Sequence, residues 1–295
     1  MRVAEAALPS SYPALRWLPW TDARGRFSAF KLLVLLLLLL PALSIASDFA
    51  QGALGARPVK EMLLAAGLWS IRLILLSLAL SPARAILQWP RLSQVRRMVG
   101  VAAFAYVAAH FTLYAADQAF DLAKVVSEIV LRVYLAIGFL ALLALAALAA
   151  TSTDGMVRRL GGKRWRLLHR LVYGVGVLAV VHFFLQSKNS LDEPWVMAGL
   201  LFWLFAWRLL AWWRKQPELP DLALTVALAT AFTALGEAAY FWFKLGVPAL
   251  QVLQANWMWS LGPRPAAVVL AITLAVVLAG GFRKLAPRWC LATAL

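Results

Sequence analysis

Three histidines, His110, His169 and His182, are the only ones in this chain of 295 residues. His110 and His182 lie inside long apolar runs, and His169 lies at the mouth of the run that holds His182. An ionisable side chain within a bilayer is costly and marks a functional position by default. Histidines that face one another from neighbouring membrane helices suit the axial positions of a buried heme iron. That chemistry is electron transfer across or within a membrane.

Such histidines need membrane helices to carry them. The chain is 63% hydrophobic and 14% charged, with a mean hydropathy of +0.78, whereas soluble domains average about 45–50% apolar and about 25% charged. It reads as all-α, a polytopic membrane helix bundle. The single cysteine, Cys290, excludes an intrachain disulfide and a cysteine-ligated cluster. Eight apolar spans are each long enough to cross a hydrocarbon core of about 30 Å. They run over Phe30–Ala46, Met62–Pro82, Met98–Ala116, Ile129–Ala150, Leu171–Gln186, Trp195–Trp213, Leu222–Phe243 and Ala266–Phe282. None alternates with period two, which argues against barrel strands. The first span starts too late and runs too long for a signal peptide and is expected to be a retained helix. No transporter-like internal repeat is visible.

Most of the 29 Lys and Arg fall in alternate connections. Arg2, Arg16, Arg24 and Arg26 precede the first span and Lys31 stands at its start, and Arg84, Arg91, Arg96 and Arg97 follow the second. Arg158, Arg159, Lys163, Arg164, Arg166 and Arg170 lie between the fourth and fifth. Arg208 near the end of the sixth span, with Arg214 and Lys215 just beyond it, precedes the seventh, and Arg283, Lys284 and Arg288 follow the eighth. The intervening loops carry acid instead, at Asp48, Glu61, Asp117, Asp121, Glu128, Asp192 and Glu193. The positive-inside rule then puts both termini in the cytoplasm. The net charge of +16 is a topology signal with some attraction to membrane lipid head groups, and requires no nucleic acid.

His110 lies thirteen residues beyond Arg97, and His182 thirteen beyond His169. At about 1.5 Å per residue, His110 and His182 reach the same depth in the outer half of two helices that run the same way. One heme held from both faces is the reading this supports, each imidazole being neutral and oriented by its other nitrogen. His169 is offset from His182 by about 140° around an ideal helix, with Gly174 and Gly176 between them to allow distortion or close approach. The third span has no histidine level with His169, so a second, inner heme there would need a different second ligand. Each histidine also has a bland reading, as a helix–helix hydrogen bond or a channel-lining group.

Arg72, near the middle of the second span, either holds an anionic group of a cofactor or pairs with a carboxylate, for which Glu237 is one candidate. Tyr106, Phe111, Phe183 and Phe184 flank the histidines as packing or as contacts to a porphyrin. The fourteen tryptophans are mostly interfacial anchors.

The segments GLWSIRLILLSLALSPAR (67–84), RRMVGVAAFAYVAAHF (96–111) and RRLGGKRWRLLHRLVYGVGVLAVVHFF (158–184) resemble the MsrQ (YedZ) family. That family comprises heme-binding membrane subunits of periplasmic protein-methionine-sulfoxide reductase systems, within the ferric-reductase-like transmembrane superfamily. The resemblance covers roughly residues 30–213. It implies heme ligands at His110, His169 and His182, a heme b, an FMN, and electrons drawn from the quinone pool. Those electrons would pass to a periplasmic molybdenum-containing partner, MsrP, on which methionine sulfoxide is reduced.

The expected organisation is a cytoplasmic tail over 1–29, a six-helix heme-binding core over 30–213, and two extra C-terminal transmembrane helices over 214–295. The extension is expected to be a separate hairpin, with Glu237 and the Trp257–Trp259 segment lining a docking or quinone surface. Two alternatives remain at this point. One is a ferric or metal reductase-type carrier fed by a separate flavin reductase, and the other is a histidine-lined transporter.

Overall fold

A computed structural model describes residues 18–22, 25–187, 190–214, 217–258, 260 and 262–285. Arg2, Arg16, Arg24, Lys215, Trp259, Arg288 and Cys290 lie outside the described residues. The chain forms helices α1 (Ala29–Ala50), α2 (Pro58–Ile86), α3 (Leu92–Asp117), α4 (Leu122–Leu131), α5 (Val133–Ala150) and α6 (Asp154–Leu160). It continues through α7 (Gly162–Leu168), α8 (Leu171–Gln186), α9 (Asp192–Trp213), α10 (Leu219–Leu245), α11 (Ala249–Ala255) and α12 (Pro265–Leu285). Eight helical segments are long and apolar enough to cross a membrane, α7 and α8 together forming one of them. This is a multi-pass, all-α membrane protein. Among the described residues the only β pairing is an isolated bridge between Thr21 and Phe27.

The expected fourth span, Ile129–Ala150, is divided in the structure. Arg132 adopts an extended backbone between α4 and α5. Asp121 caps α4 by accepting from the Lys124 amide. The side chains of Leu122, Val126 and Val130, spaced four apart, are exposed along one face of α4. This short amphipathic helix has the character of an interfacial element joining α3 to α5.

Two apolar cores hold the bundle. One joins α1, α2, α3, α5 and α8, with Val95, Val99, Ala103 and Val175 each only 1% exposed. The other joins α2, α8, α9, α10 and α12 around Leu201, Leu204, Val226, Ala229 and Val269. The two C-terminal spans therefore share a core with the rest of the bundle rather than standing apart as a detached hairpin. At the crossing of α9 with α10 and α12, a β-carbon on Gly199 would lie 2.1 Å from Thr233 Oγ1 and 2.7 Å from Val269 Cγ2. Small residues at such crossings allow the close backbone approach on which membrane helix packing depends.

Pro41 interrupts α1, and Tyr106 of α3 compensates beside it. The Tyr106 hydroxyl donates to Leu38 O at 2.8 Å and accepts from the Ala42 amide at 2.9 Å. It is thus inserted into the helical bond that would join those two groups, a recognised cause of helix bending. Tyr106 binds α1 and is not part of the cavity described next.

Candidate functional site

α3 and α8 bring His110 and His182 together. Their ring centres are 6.4 Å apart and their planes are inclined at 81°. Each ring is anchored to the backbone of a different neighbouring helix. His110 Nδ1–H donates to Leu63 O of α2 at 2.9 Å, and His182 Nδ1–H donates to Tyr134 O of α5 at 2.7 Å. A carbonyl can only accept, so the bond fixes the Nδ1–H tautomer and leaves the Nε2 lone pair free in both rings.

The two anchors follow one pattern. In each, the accepting carbonyl lies four residues before a glycine, Leu63 before Gly67 and Tyr134 before Gly138. A β-carbon on Gly67 would lie 2.8 Å from His110 Cε1, and one on Gly138 would lie 2.8 Å from both Cε1 and Nδ1 of His182. Only a residue without a side chain lets the imidazole lie this close to the helix it bonds. These glycines were not singled out in the sequence. Their legible signal is a lone glycine within an apolar span, which does not reveal which helix faces it. Gly174 and Gly176, the glycines expected to matter, play other parts. Nothing lies within 4 Å of a β-carbon at 174, while one at 176 would meet Leu78 and Leu201.

The rings line a cavity of about 630 Å³ among α2, α3, α5 and α8, within the range of about 300–1,000 Å³ common for cofactor sites. Its walls are apolar, from Ile71, Ile74, Val107, Phe111, Phe139 and Leu142, and Phe183 also lines it. Phe184 turns away and packs edge-on against Trp195. Apart from the histidines and Ser70, whose hydroxyl donates to Ala66 O, the polar lining lies at one end, at Lys60, Tyr114, Gln186, Ser187 and Ser190.

The donor set restricts what the pair can hold. Among the described residues, no group of three His, Cys, Asp or Glu is placed to bind a bare metal ion. Two imidazoles suit a metal that arrives with its other ligands already attached. Imidazole nitrogens bind first-row metals at about 2.0–2.1 Å, and a ring centre lies about 1.1 Å behind its nitrogen, so two opposed ligands have centres about 6.2–6.4 Å apart. The observed 6.4 Å between ring centres leaves room for such a metal between them.

His169 is not brought to the pair. It caps the end of α7, its ring stacks on Trp165 with centres 3.9 Å apart, and its Nε2 lies 3.2 Å from Thr151 Oγ1. Arg72 also lies outside the cavity lining. Its Nη2 donates to Glu193 Oε1 at 2.8 Å, and its guanidinium lies 5.1 Å from the centre of the Trp69 ring. This is the carboxylate-pairing alternative, with Glu193 at the start of α9 as the partner in place of Glu237. Glu237 is 1% exposed and is paired with Arg264, which also approaches Asp192 at 3.6 Å. Burial removes Glu237 from the surface expected there, although Trp257 is 83% exposed.

Fold and site define a membrane bundle with a histidine pair over an apolar cavity, and residues 66–180 match the family described as ferric reductase like transmembrane component. The chain is 44% identical over 196 residues to a Rhodospirillum rubrum protein named protein-methionine-sulfoxide reductase heme-binding subunit MsrQ, covering 66% of this chain and 92% of the relative. A relative of the same name from Azospira oryzae is 38% identical over 221 residues, covering 72% of this chain and 95% of its own. Another from Xanthomonas campestris is 42% identical over 164 residues, covering 55% and 73%. The chain belongs to the MsrQ family. No solved structure matches it.

Proposed function

We propose that this protein is the electron-transfer membrane subunit of an oxidoreductase system, holding one heme b between His110 and His182. The observation that carries the reading is the facing pair itself, with both Nδ1 atoms committed to carbonyls and the rings 6.4 Å apart at an apolar cavity. The heme-binding subunit names of the relatives agree with it. When bound, the iron supplies one-electron redox chemistry. The protein's own residues do the rest. Leu63 and Tyr134 hold the rings in one tautomer, Gly67 and Gly138 admit them to the helix surface, and the apolar walls exclude water. Residues 30–213 serve as the heme-binding core, since the cavity lining falls between Lys60 and Ser190.

The cavity's polar end is opposite the basic segment Arg158–Arg170. By the positive-inside rule it faces the periplasm of an inner-membrane protein with cytoplasmic termini. Electrons from the quinone pool then leave at that end to a periplasmic MsrP-like molybdenum reductase, where methionine sulfoxide is reduced. His169, stacked and bonded at the opposite end, serves as a structural tie between α5 and α7. FMN, implied by the resemblance, is given no residues in this reading.

A pyridine hemochrome assay with protein quantitation tests the proposal. One low-spin heme b per chain is expected, and a purified, folded protein with no heme band would refute it. Flavin fluorescence on the same extract decides whether FMN accompanies the heme.

A further inference from the structure

The cavity's described lining carries a charged side chain at its polar end. Among its described lining residues, Lys60 alone carries a full charge, and none carries a negative one. Arginines at the same end of the bundle are matched to carboxylates: Arg57 to Asp117, Arg72 to Glu193, Arg132 to Glu128, and Arg264 to Glu237 and Asp192. Lys60 has no such partner among the described residues. The Tyr114 and Ser187 hydroxyls, which line the same cavity, likewise make no hydrogen bond among the described residues. Arg72, for which an anionic cofactor group and a carboxylate were both open as partners, is neutralised by Glu193. The cation left free belongs to the cavity itself.

Its position on α2 is set by helical spacing. Lys60 lies seven residues, two turns and about 10 Å, before Gly67, which packs on His110. Residues at 60, 63, 64, 67, 71 and 74 all line the cavity, so α2 presents one continuous face. That face runs from an ammonium group at the mouth, past the carbonyl that orients His110, to apolar depth. The matching ligand is amphipathic: a flat apolar body with an anionic edge.

We propose that Lys60, with Tyr114 and Ser187, anchors the propionate carboxylates of the heme seated between His110 and His182, and so fixes which edge of the porphyrin faces the mouth. This rests on the heme reading above. The ammonium gives each carboxylate a charge-assisted hydrogen bond, and the two hydroxyls supply neutral donors. Because the macrocycle is otherwise apolar, the cation at one end breaks the equivalence of its edges.

The test uses the full-length protein, stripped of heme and reloaded with either ferric heme or its dimethyl ester, whose propionates cannot ionise. The wild type should retain heme about tenfold better than the ester against an apomyoglobin competitor, the scale expected for a hydrogen bond to a charged group. Lys60→Met and Lys60→Gln should remove that preference while keeping the low-spin spectrum of the histidine pair, and Lys60→Arg should restore it. Equal preference in the wild type and both neutral variants would overturn the proposal. So would a Lys60 effect that follows the anionic lipid content of reconstituted vesicles but not porphyrin esterification, since that would assign the lysine to a lipid phosphate. A folded wild-type protein that takes up neither porphyrin would overturn the heme reading itself, a distinct outcome.

Discussion

Gly67 and His110 meet so closely that a methyl group at position 67 would lie 2.8 Å from the imidazole Cε1. The same relationship holds between Gly138 and His182, on two other helices. Each ring is trapped between a carbonyl that fixes its tautomer and a glycine that fixes its height above the helix. Neither contact can relax without disturbing the other.

Gly67→Ala and Gly138→Ala should therefore each weaken heme retention and alter the low-spin spectrum, with overpacking costing about 1–3 kcal/mol. Gly174→Ala is the control. With nothing within 4 Å of its β-carbon, it should gain about 0.5–1 kcal/mol of helix stability and leave the spectrum unchanged. Spectra and thermal unfolding of the three variants check this, and an unperturbed heme in both cradle variants would count against the assigned packing.

His110→Ala or His182→Ala should abolish or severely deplete the low-spin signal, because on the proposed reading either removes one of the two ligands of the heme. His169→Ala should retain the signal and lose stability only through the Trp165 stack and the Thr151 contact. Heme content and electron paramagnetic resonance of the three purified variants distinguish these outcomes. A His169 variant as depleted as the other two would require a ligand role for it.

Much of this arrangement was legible in the sequence. Span number follows from apolar run length, a local property, and the equal depth of His110 and His182 follows from thirteen-residue offsets and a constant helical rise. Pairing between helices is non-local, and there the reading ran out. Neither the Arg72–Glu193 contact, across 121 positions, nor the identity of the glycines under the histidines has a signature in spacing alone. The break at Arg132 was hidden because Ile129, Val130 and Leu131, the last turn of α4, are as apolar as the span that follows them.

Arg72→Leu should lower thermal stability without a selective loss of heme, because its partner is Glu193 rather than a cofactor. The side chains are 34% and 46% exposed, so screening limits the pair to about 1 kcal/mol or less in a double-mutant cycle with Glu193→Gln. Depleted heme in a stable Arg72→Leu protein would point back to a cofactor contact.

Glu237 and Arg264 present the opposite case, since Glu237 is 1% exposed. Arg264→Met leaves a buried carboxylate uncompensated and should cost about 3–5 kcal/mol, whereas the double change Glu237→Met/Arg264→Met should recover most of it. Thermal unfolding of the three proteins reads this directly. A double variant no more stable than the single one would show that the pair does more than neutralise itself.

A chain ending at Lys215 should still insert and bind heme at near-normal stoichiometry. Every described residue lining the histidine cavity lies at or before Ser190, so none comes from α9 to α12. Truncation does strip Thr233 and Val269 from Gly199 and leaves Asp192 without Arg264. Because lipid is as apolar as the helix face it would then cover, the loss is one of packing rather than of hydrophobic burial in water. The truncated protein should unfold at a lower temperature while keeping its spectrum. A truncated protein that inserts normally yet carries no heme would show that α10 and α12, through the core they share with α2 and α9, help build the site.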